Sequence, residues 1–454
     1  MYGCQQNLIS PNHELKAVLE FICCESNKLT NCGIYYGRQI YLKTHKIIGK
    51  FDLEKEYKSN QHYQVIYSQA AQQILRSVAE SFKSFKQLSK KYKQGELTDR
   101  PKLPKYSRKK GGLALVTYPK QALRLTGNQI RIPLGRKVKQ WFGFDSFYLS
   151  MPSNLMFNDI KELRILPRNQ CFYAEFIYEI EGQKVELNYD YVLGIDPGLN
   201  NWLTAVSNVG MSLIIDGKNL KYVNRWYNKQ VSIIKDGKRL GFWSKRLAKI
   251  TEKRNRQMKD AVNKAARMVI NHCLDNQIGV IVFGWNKEQK KESNLGKKTN
   301  QSFVSIPTAK LKERIAQLCS QYGIKFIETE ESYTSKASFL DNDWLPIFGE
   351  KPVCVAFRRK GWQPSGKRRK RGLYQTGHHQ YINTDANGAA NIIRKAIQCG
   401  LGKSPGLNQE VSTTLNFDLS RVSRGVLTRP QKLKFWSAKK TRSNAVLTHC
   451  AVSF

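Results

Sequence analysis

Two hydrophobic periods alternate along this chain, and the switches between them divide it. Residues 2–10 read as an edge strand. Ser10-Pro11 carries the signature of a helix start, Ser as N-cap and Pro in the first turn, and Leu15, Val18, Leu19 and Ile22 follow at helical spacing. From about Val65 to Tyr92 a stronger helix is predicted, with Ile66, Ala70, Ile74, Val78, Phe82 and Phe85 as one apolar stripe. Its other face and its end are basic. From about Gly95 to Gly112 a Lys/Arg-rich stretch broken by Pro and Gly reads as a linker. Period-two runs then take over. Leu123 and Leu125 with Ile130 and Ile132 flank Thr126-Gly127-Asn128, and residues 163–166 and 172–180 flank Pro167-Arg168-Asn169-Gln170, two hairpins. Residues 1–10 and 112–188 are therefore expected to form a small β-barrel, interrupted by residues 11–111 as a helical insertion with a basic linker.

The pattern changes again near residue 189. Tyr191 to Asp196 is a run of strand formers ending in an acid, Pro197-Gly198 turns the chain, and Trp202 to Val206 returns. A third strand is expected over 211–215 and helices over about 220–235 and 243–276. Residues 278–283 form an apolar run suited to a strand buried on both faces. Pro307 opens a helix with Leu311, Ile315 and Leu318 on one face. Residues 324–331 read as a strand with an acidic end, and 385–397 as a helix with Asp385 at its start and a small-residue face of Ala386, Ala389, Ala390, Ile393 and Ala396. Residues 189–400 thus read as α/β.

At 454 residues the chain is long enough for two or more domains. The formal net charge is +41, from 76 Lys+Arg against 35 Asp+Glu, and the excess recurs along the whole length. Such a field suits a polyanion, and nucleic acid is the expected partner. A membrane surface is the rival, but no apolar run is long enough to span a bilayer. Ten Cys are present and none forms a C-x-x-C pair, so reduced thiols in a cytoplasmic, nucleoid-associated protein are expected. The adjacent His378 and His379 read as a loop pair near nucleic acid.

The order of elements, three strands, helices, strand, helix, strand, helix, is that of the ribonuclease-H-like fold. There, acids from the first strand, a later strand and the last helix converge on two metals. Carboxylates suit Mg²⁺, a hard ion that prefers oxygen, and a metal pair activates water and stabilises the leaving oxygen of a phosphodiester. Asp-Pro-Gly is also ordinary turn chemistry, so Asp196 by itself does not define a site.

Three segments in order carry a more specific resemblance. Gly194-Ile195-Asp196-Pro197-Gly198, Tyr333-Thr334-Ser335-Lys336-Ala337-Ser338 and Asn383-Thr384-Asp385-Ala386-Asn387-Gly388-Ala389-Ala390-Asn391-Ile392 resemble the first RuvC motif, the Y-T-S-x-x-C-S segment and the third RuvC motif of the transposon-associated TnpB proteins, relatives of type V CRISPR nucleases. Gly388 stands for the first Ala of D-x-N-A-A-x-N-I. The resemblance implies an RNase-H-like RuvC nuclease domain over 189–331 and 384–400, with the barrel as an oligonucleotide-binding-type (wedge) domain. It further implies a guide RNA, a target DNA duplex, and Mg²⁺ held in a two-metal site by catalytic acids.

Two departures matter. The strand matching the second RuvC motif ends in Gly284-Trp285-Asn286 rather than Glu. Some relatives, the eukaryotic Fanzor proteins among them, carry that acid on the next strand, just before the Thr-Ser pair. Glu331 stands three residues before Thr334 and fits that place. Glu330 is the runner-up, because alternation in a strand points neighbours to opposite faces. The expected metal and catalytic residues are therefore Asp196, Glu331 and Asp385. Second, Ala337 to Asp341 replaces the family's first Cys pair and only Cys354 remains, so zinc is not expected.

Residues 332–383 instead read as a basic nucleic-acid-binding insertion with interleaved aromatics Phe357, Trp362 and Tyr374. Candidate nucleic-acid contacts are Lys90, Lys91, Arg254, Arg256, Arg358, Arg359, Arg368, Arg369 and Arg371. Residues 401–454 form a basic tail with the composition of a disordered segment. The resulting expectation is an RNA-guided DNA endonuclease of the TnpB type, cutting duplex DNA beside a short target-adjacent motif. The alternatives are a catalytically inactive RNA-guided repressor and a Mg²⁺-dependent nuclease acting without a guide.

Overall fold

The computed structural model describes residues 1–108, 111–183, 185–286, 306–346, 362–399, 416–434 and 436. They form two compact units that divide between Ile180 and Glu181.

In the first unit β1 (Tyr2–Ile9) is followed by the long helix α1 (His13–Thr44), two short helices α2 (Lys50–Tyr57) and α3 (Gln61–Val65), and α4 (Ser68–Lys93). The cap of α1 is Asn12, whose side chain accepts the Leu15 N–H. Ser10 lies two residues before that cap. The α4 stripe predicted from Ala70 to Phe82 is buried, and it packs on α1 where two glycines open the helix surface. A Cβ at Gly37 would lie 2.6 Å from the Phe82 ring, and one at Gly33 would lie 3.3 Å from Leu75. The strands that follow are β2 (Val116–Pro119), β3 (Arg124–Thr126), β4 (Gln129–Pro133), β5 (Ser146–Ser150), β6 (Ile160–Arg168) and β7 (Cys171–Glu179), with the short helix α5 (Arg136–Phe142) after β4. Both predicted hairpins form. Asn169 and Gln170 take positive φ between β6 and β7, and Gly127 does so between β3 and β4, the chemistry of tight two-residue turns. Pairing runs β1-β7-β6-β2 in one sheet and β3-β4-β5 in another. Where one small barrel was expected, the described strands pair as two separate sheets, sharing one apolar core with the helices.

The second unit is built on a six-stranded sheet in the order β12-β11-β8-β9-β10-β16. Its strands are β8 (Asn188–Pro197), β9 (Asn201–Ser207), β10 (Ser212–Asp216), β11 (Ile278–Gly284), β12 (Lys325–Thr329) and β16 (Gln431–Leu433). β8, β9 and β10 form an antiparallel meander, while β11 runs parallel to both β8 and β12. Both faces are covered, which is why β11 is apolar throughout. Leu193, Ile195, Ile281 and Phe283 face α7 (Lys245–Asp275) and α8 (Thr308–Tyr322). Val192, Val280 and Val282 face α9 (Thr384–Cys399) through Ile392 and Ile393. α6 (Lys218–Lys235) lies between β10 and α7 in the chain.

Three features depart from expectation. β12 ends at Thr329, so Glu330 and Glu331 lie beyond the strand rather than on it. The basic insertion contains a three-stranded antiparallel sheet, β13 (Lys367–Lys370), β14 (Leu373–Gln375) and β15 (Tyr381–Asn383). Within the tail, residues 416–434 are folded: Phe417, Val422 and Leu427 are buried and β16 pairs with β10. Those three apolar anchors are spaced among so many cations that composition hides them. Residues 401–415 and 437–454 lie outside the described residues.

Candidate active site

Asp196 is the penultimate residue of β8, opposite Thr204 of β9, and the Gly198 N–H closes the turn on the Trp202 carbonyl at 3.0 Å. Asp385 is the second residue of α9. Asn383 caps that helix, its Oδ1 accepting the N–H of Asp385 (2.9 Å) and of Ala386 (3.1 Å). The strand and the helix touch through glycine. A Cβ at Gly194 would meet the Ala389 carbonyl at 2.4 Å, and a Cβ at Gly388 would lie 2.6 Å from Oδ2 of Asp196. The Asp196 carboxylate therefore rests in the place a side chain at 388 would fill. Asn201, just past the turn, donates to Oδ2 of Asp385 at 2.7 Å.

Glu331 arrives from the end of β12. Asn286 accepts its N–H at 3.1 Å, and Thr334 donates its hydroxyl to the Glu331 carbonyl at 2.8 Å. A Cβ at Gly284, the last residue of β11, would lie 3.3 Å from the Cβ of Glu331 and 2.5 Å from Cδ1 of Ile392. Glu330 has a different neighbour. Its carboxylate pairs at 3.3 Å with Lys395, a fully buried lysine of α9. The Lys395 ammonium also donates to the Ser332 (2.7 Å) and Pro346 (3.1 Å) carbonyls.

Two asparagines of α9 add to that fastening. Asn387 donates to the Ala337 carbonyl (2.7 Å) and accepts the Phe339 N–H (2.9 Å). Asn391 donates to the carbonyls of Thr334 (2.9 Å) and Ala337 (2.8 Å). Residues 387, 391 and 395 recur every four positions on one helical face, so α9 holds the whole segment after Glu331 along its length. Backbone groups that would otherwise be buried unpaired are thereby satisfied.

Burial pushes the Asp196 carboxyl well above the ordinary carboxylate range, and the negative charges of Glu331 and Asp385 push it further. Glu331 and Asp385 thus each bear on Asp196, while the Glu330 carboxylate is paired with Lys395. Among the described residues no group of three or more His, Cys, Asp or Glu is arranged to hold a metal ion. The Asp385 carboxylate is engaged by Asn201.

The predicted nucleic-acid contacts are scattered. Lys90 and Lys91 are exposed in the last turn of α4, with Lys91 3.5 Å from Glu96. Arg256 is exposed on α7. Arg254 is not a free cation: it donates to Asn224 of α6 at 2.9 Å and lies over the Tyr227 ring, joining the two helices. Arg368, Arg369 and Arg371 are exposed on the β13–β14 hairpin. Arg358 and Arg359 lie outside the described residues.

Where the TnpB family carries cysteines, two aspartates fasten the chain. Asp341 accepts from the Ser365 hydroxyl (2.9 Å) and the Gly377 N–H, and Asp343 accepts the N–H of Ser338 (2.7 Å) and of Ser365 (3.0 Å).

Sequence reasoning missed Asn201, Lys395 and the pairing role of Glu330. Spacing offers a signal for Lys395 alone, since it extends the Asn387–Asn391 repeat by one helical step.

The second unit thus has a mixed sheet with Asp196 near one strand end and Asp385 at the start of α9. The chain is similar in fold to the protein in a cryo-EM structure of a Cas12f1–sgRNA–target DNA complex, at 14% identity and a TM-score of 0.53, covering 84% of this chain and 83% of that one. A structure of the mini-RNA-guided endonuclease CRISPR-Cas_phi3 is also similar, at 11% identity and a TM-score of 0.44, over 89% of this chain and 93% of that one. Residues 175–302 match the family model OrfB_IS605, described as a probable transposase. The resemblance to the TnpB family is borne out by that match. No curated protein matches the chain.

Proposed function

We propose that the protein is an RNA-guided DNA endonuclease of the TnpB type, with Asp196, Glu331 and Asp385 as its catalytic acids. One observation carries the reading. The Glu331 side chain begins beside the position where the family has its second-motif Glu, and there this chain has Gly284, which has no side chain to offer. A decayed site has no reason to hold a replacement acid in that place, with its charge bearing on Asp196.

The donors are hard oxygens of the type Mg²⁺ takes, and the negative charge that Glu331 and Asp385 place on Asp196 is what a dication would relieve, although among the described residues the acids are not gathered as a three-ligand site. When bound, the metal pair would activate a water and stabilise the leaving oxygen of the phosphodiester. The chain's own residues supply position. β8 and the Gly388 recess orient Asp196, Asn383 and Asn201 fix Asp385, and the α9 asparagines with Lys395 hold the backbone that carries Glu331. Target specificity would come from guide pairing, with the protein reading a short adjacent motif and the heteroduplex shape. The high net positive charge would hold the phosphates of both nucleic acids. The test is Mg²⁺-dependent cleavage of plasmid DNA matched to the RNA that copurifies with the protein. Binding without cleavage would favour the repressor reading.

A further inference from the structure

Cations and exposed rings lie on the segments that flank the carboxylate centre. Asn200, in the turn after Asp196, accepts from the Lys221 ammonium of α6 and, through its carbonyl, from the Gly217 N–H at 2.8 Å. The next residue, Asn201, donates to Asp385. On the other side of Asp385, the Thr384 N–H donates to the Gly372 carbonyl at 3.3 Å, which ties the Arg371-Gly372 turn to the start of α9. Lys221 and Arg371 therefore stand on chain segments joined directly to the Asp385 end of the centre. Lys221, Arg225 and Arg371 make no ion pair among the described residues. Burial lowers the Lys221 pKa, and the positive charges of Arg371 and then Arg225 lower it further.

The exposed face of α6 continues from there. Lys221 and Arg225 form one row at helical spacing, and Tyr222 and Trp226 form a second row beside it. Tyr222 is 70% exposed and Trp226 39% exposed, with the Lys253 ammonium of α7 over the Trp226 ring. Large exposed aromatic rings side by side are apolar surface of the kind that marks a binding face, and here they lie next to cations that make no ion pair among the described residues. A row of cations for phosphates beside a row of rings for bases is the composition that binds single-stranded nucleic acid.

We propose that α6 is a bed for single-stranded DNA leading to the carboxylate centre. Lys221, Arg225 and Arg371 hold backbone phosphates, and Tyr222 and Trp226 stack on successive bases. This rests on the nuclease reading for its purpose but not for its test, which needs neither Mg²⁺ nor cleavage.

The experiment uses the purified full chain in EDTA. A fluorescent homothymidine oligonucleotide, its RNA counterpart and a blunt duplex of equal length are titrated by anisotropy across a salt series. Three proteins are compared: wild type, the double variant Tyr222→Ala/Trp226→Ala, and Lys221→Ala/Arg225→Ala. The aromatic variant should bind single-stranded DNA about tenfold or more weaker with its duplex affinity unchanged. The cationic variant should lose about 1.4 from the slope of log affinity against log salt for the single strand, about 0.7 for each phosphate contact. The chain has eight tryptophans, so the readout for Trp226 is the part of the oligonucleotide-induced quenching that wild type shows and the aromatic variant lacks. Thermal midpoints and light scattering are recorded for each protein. Equal affinity of both variants and wild type for the single strand overturns the proposal. So does a loss that is the same for duplex and single strand, or an aromatic variant whose only change is a smaller oligomer. A loss confined to the RNA strand overturns the assignment to DNA and gives the bed to the guide. An uncleaved target together with a selective single-strand loss leaves this proposal standing and removes the nuclease reading.

Discussion

A Cβ placed on Gly284 would stand 3.3 Å from the Cβ of Glu331. The end of β11 and the segment after β12 thus border the same space, and only the latter has a side chain to fill it. The carboxylate should therefore be movable between them. Glu331→Ala with Gly284→Glu, plus Ile392→Val to remove the methyl that lies 2.5 Å from the new Cβ, should recover cleavage at least about tenfold over Glu331→Ala alone. A triple variant that is folded, binds target and is as inactive as the single variant would show that the two positions do not share a role.

Lys395 is fully buried and serves Glu330 and two carbonyls. Lys395→Met keeps the length and removes every one of those donors. The loss should be about 2–4 kcal/mol, because three acceptors are left in or near the core without a proton. Denaturant unfolding measures it, and an unchanged midpoint would contradict the fastening described for the segment after Glu331.

The acids proposed for the carboxylate centre can be picked out from the sequence. Asp196 and Asp385 are marked by motif order, and Glu331 by its spacing to Thr334. The choice between Glu331 and Glu330 cannot be made there, because both lie beyond β12 and strand alternation does not apply to them. The choice turns on Lys395, more than sixty residues away in sequence, and no local pattern announces a buried ammonium. The β-rich character of the first unit was readable from its turn residues, whereas its division into two sheets depends on pairings distant in sequence. Arg254 read as a nucleic-acid contact because charge density does not reveal that Asn224 and Tyr227 engage it.

Asp341 fastens its segment to Ser365 and Gly377. Burial works to raise its carboxyl, but hydrogen bonds from Ser338, Gly377, Ser365 and His378 outweigh burial and hold it below the ordinary carboxylate range. A depressed folded pKa contributes stability above the unfolded value, about 3.9 for Asp, and that stability fades as pH falls through the folded value. Asp341→Asn should therefore cost about 1–2 kcal/mol near pH 7, and the gap to wild type should close below about pH 4. A gap independent of pH would contradict this. Elemental analysis should find no stoichiometric zinc, and one zinc per chain would overturn the account of this segment.

The charge of +41 predicts that RNA accompanies the protein through purification at low salt. Affinity should fall steeply and linearly in log salt. A nucleic-acid-free, monodisperse preparation at low ionic strength would contradict a polyanion-bound resting form.

The central claim is that Glu331, not Glu330, completes the centre with Asp196 and Asp385. The most direct measurement is guide-programmed plasmid cleavage in Mg²⁺ by Glu331→Ala and Glu330→Ala, with target binding followed in parallel. Removing a group that stabilises charge only in the transition state should cost about 10²-fold or more in rate. Glu331→Ala should therefore bind its target normally and fail to cut, while Glu330→Ala cuts at a rate near wild type with a lowered thermal midpoint. Full activity in Glu331→Ala would contradict the account.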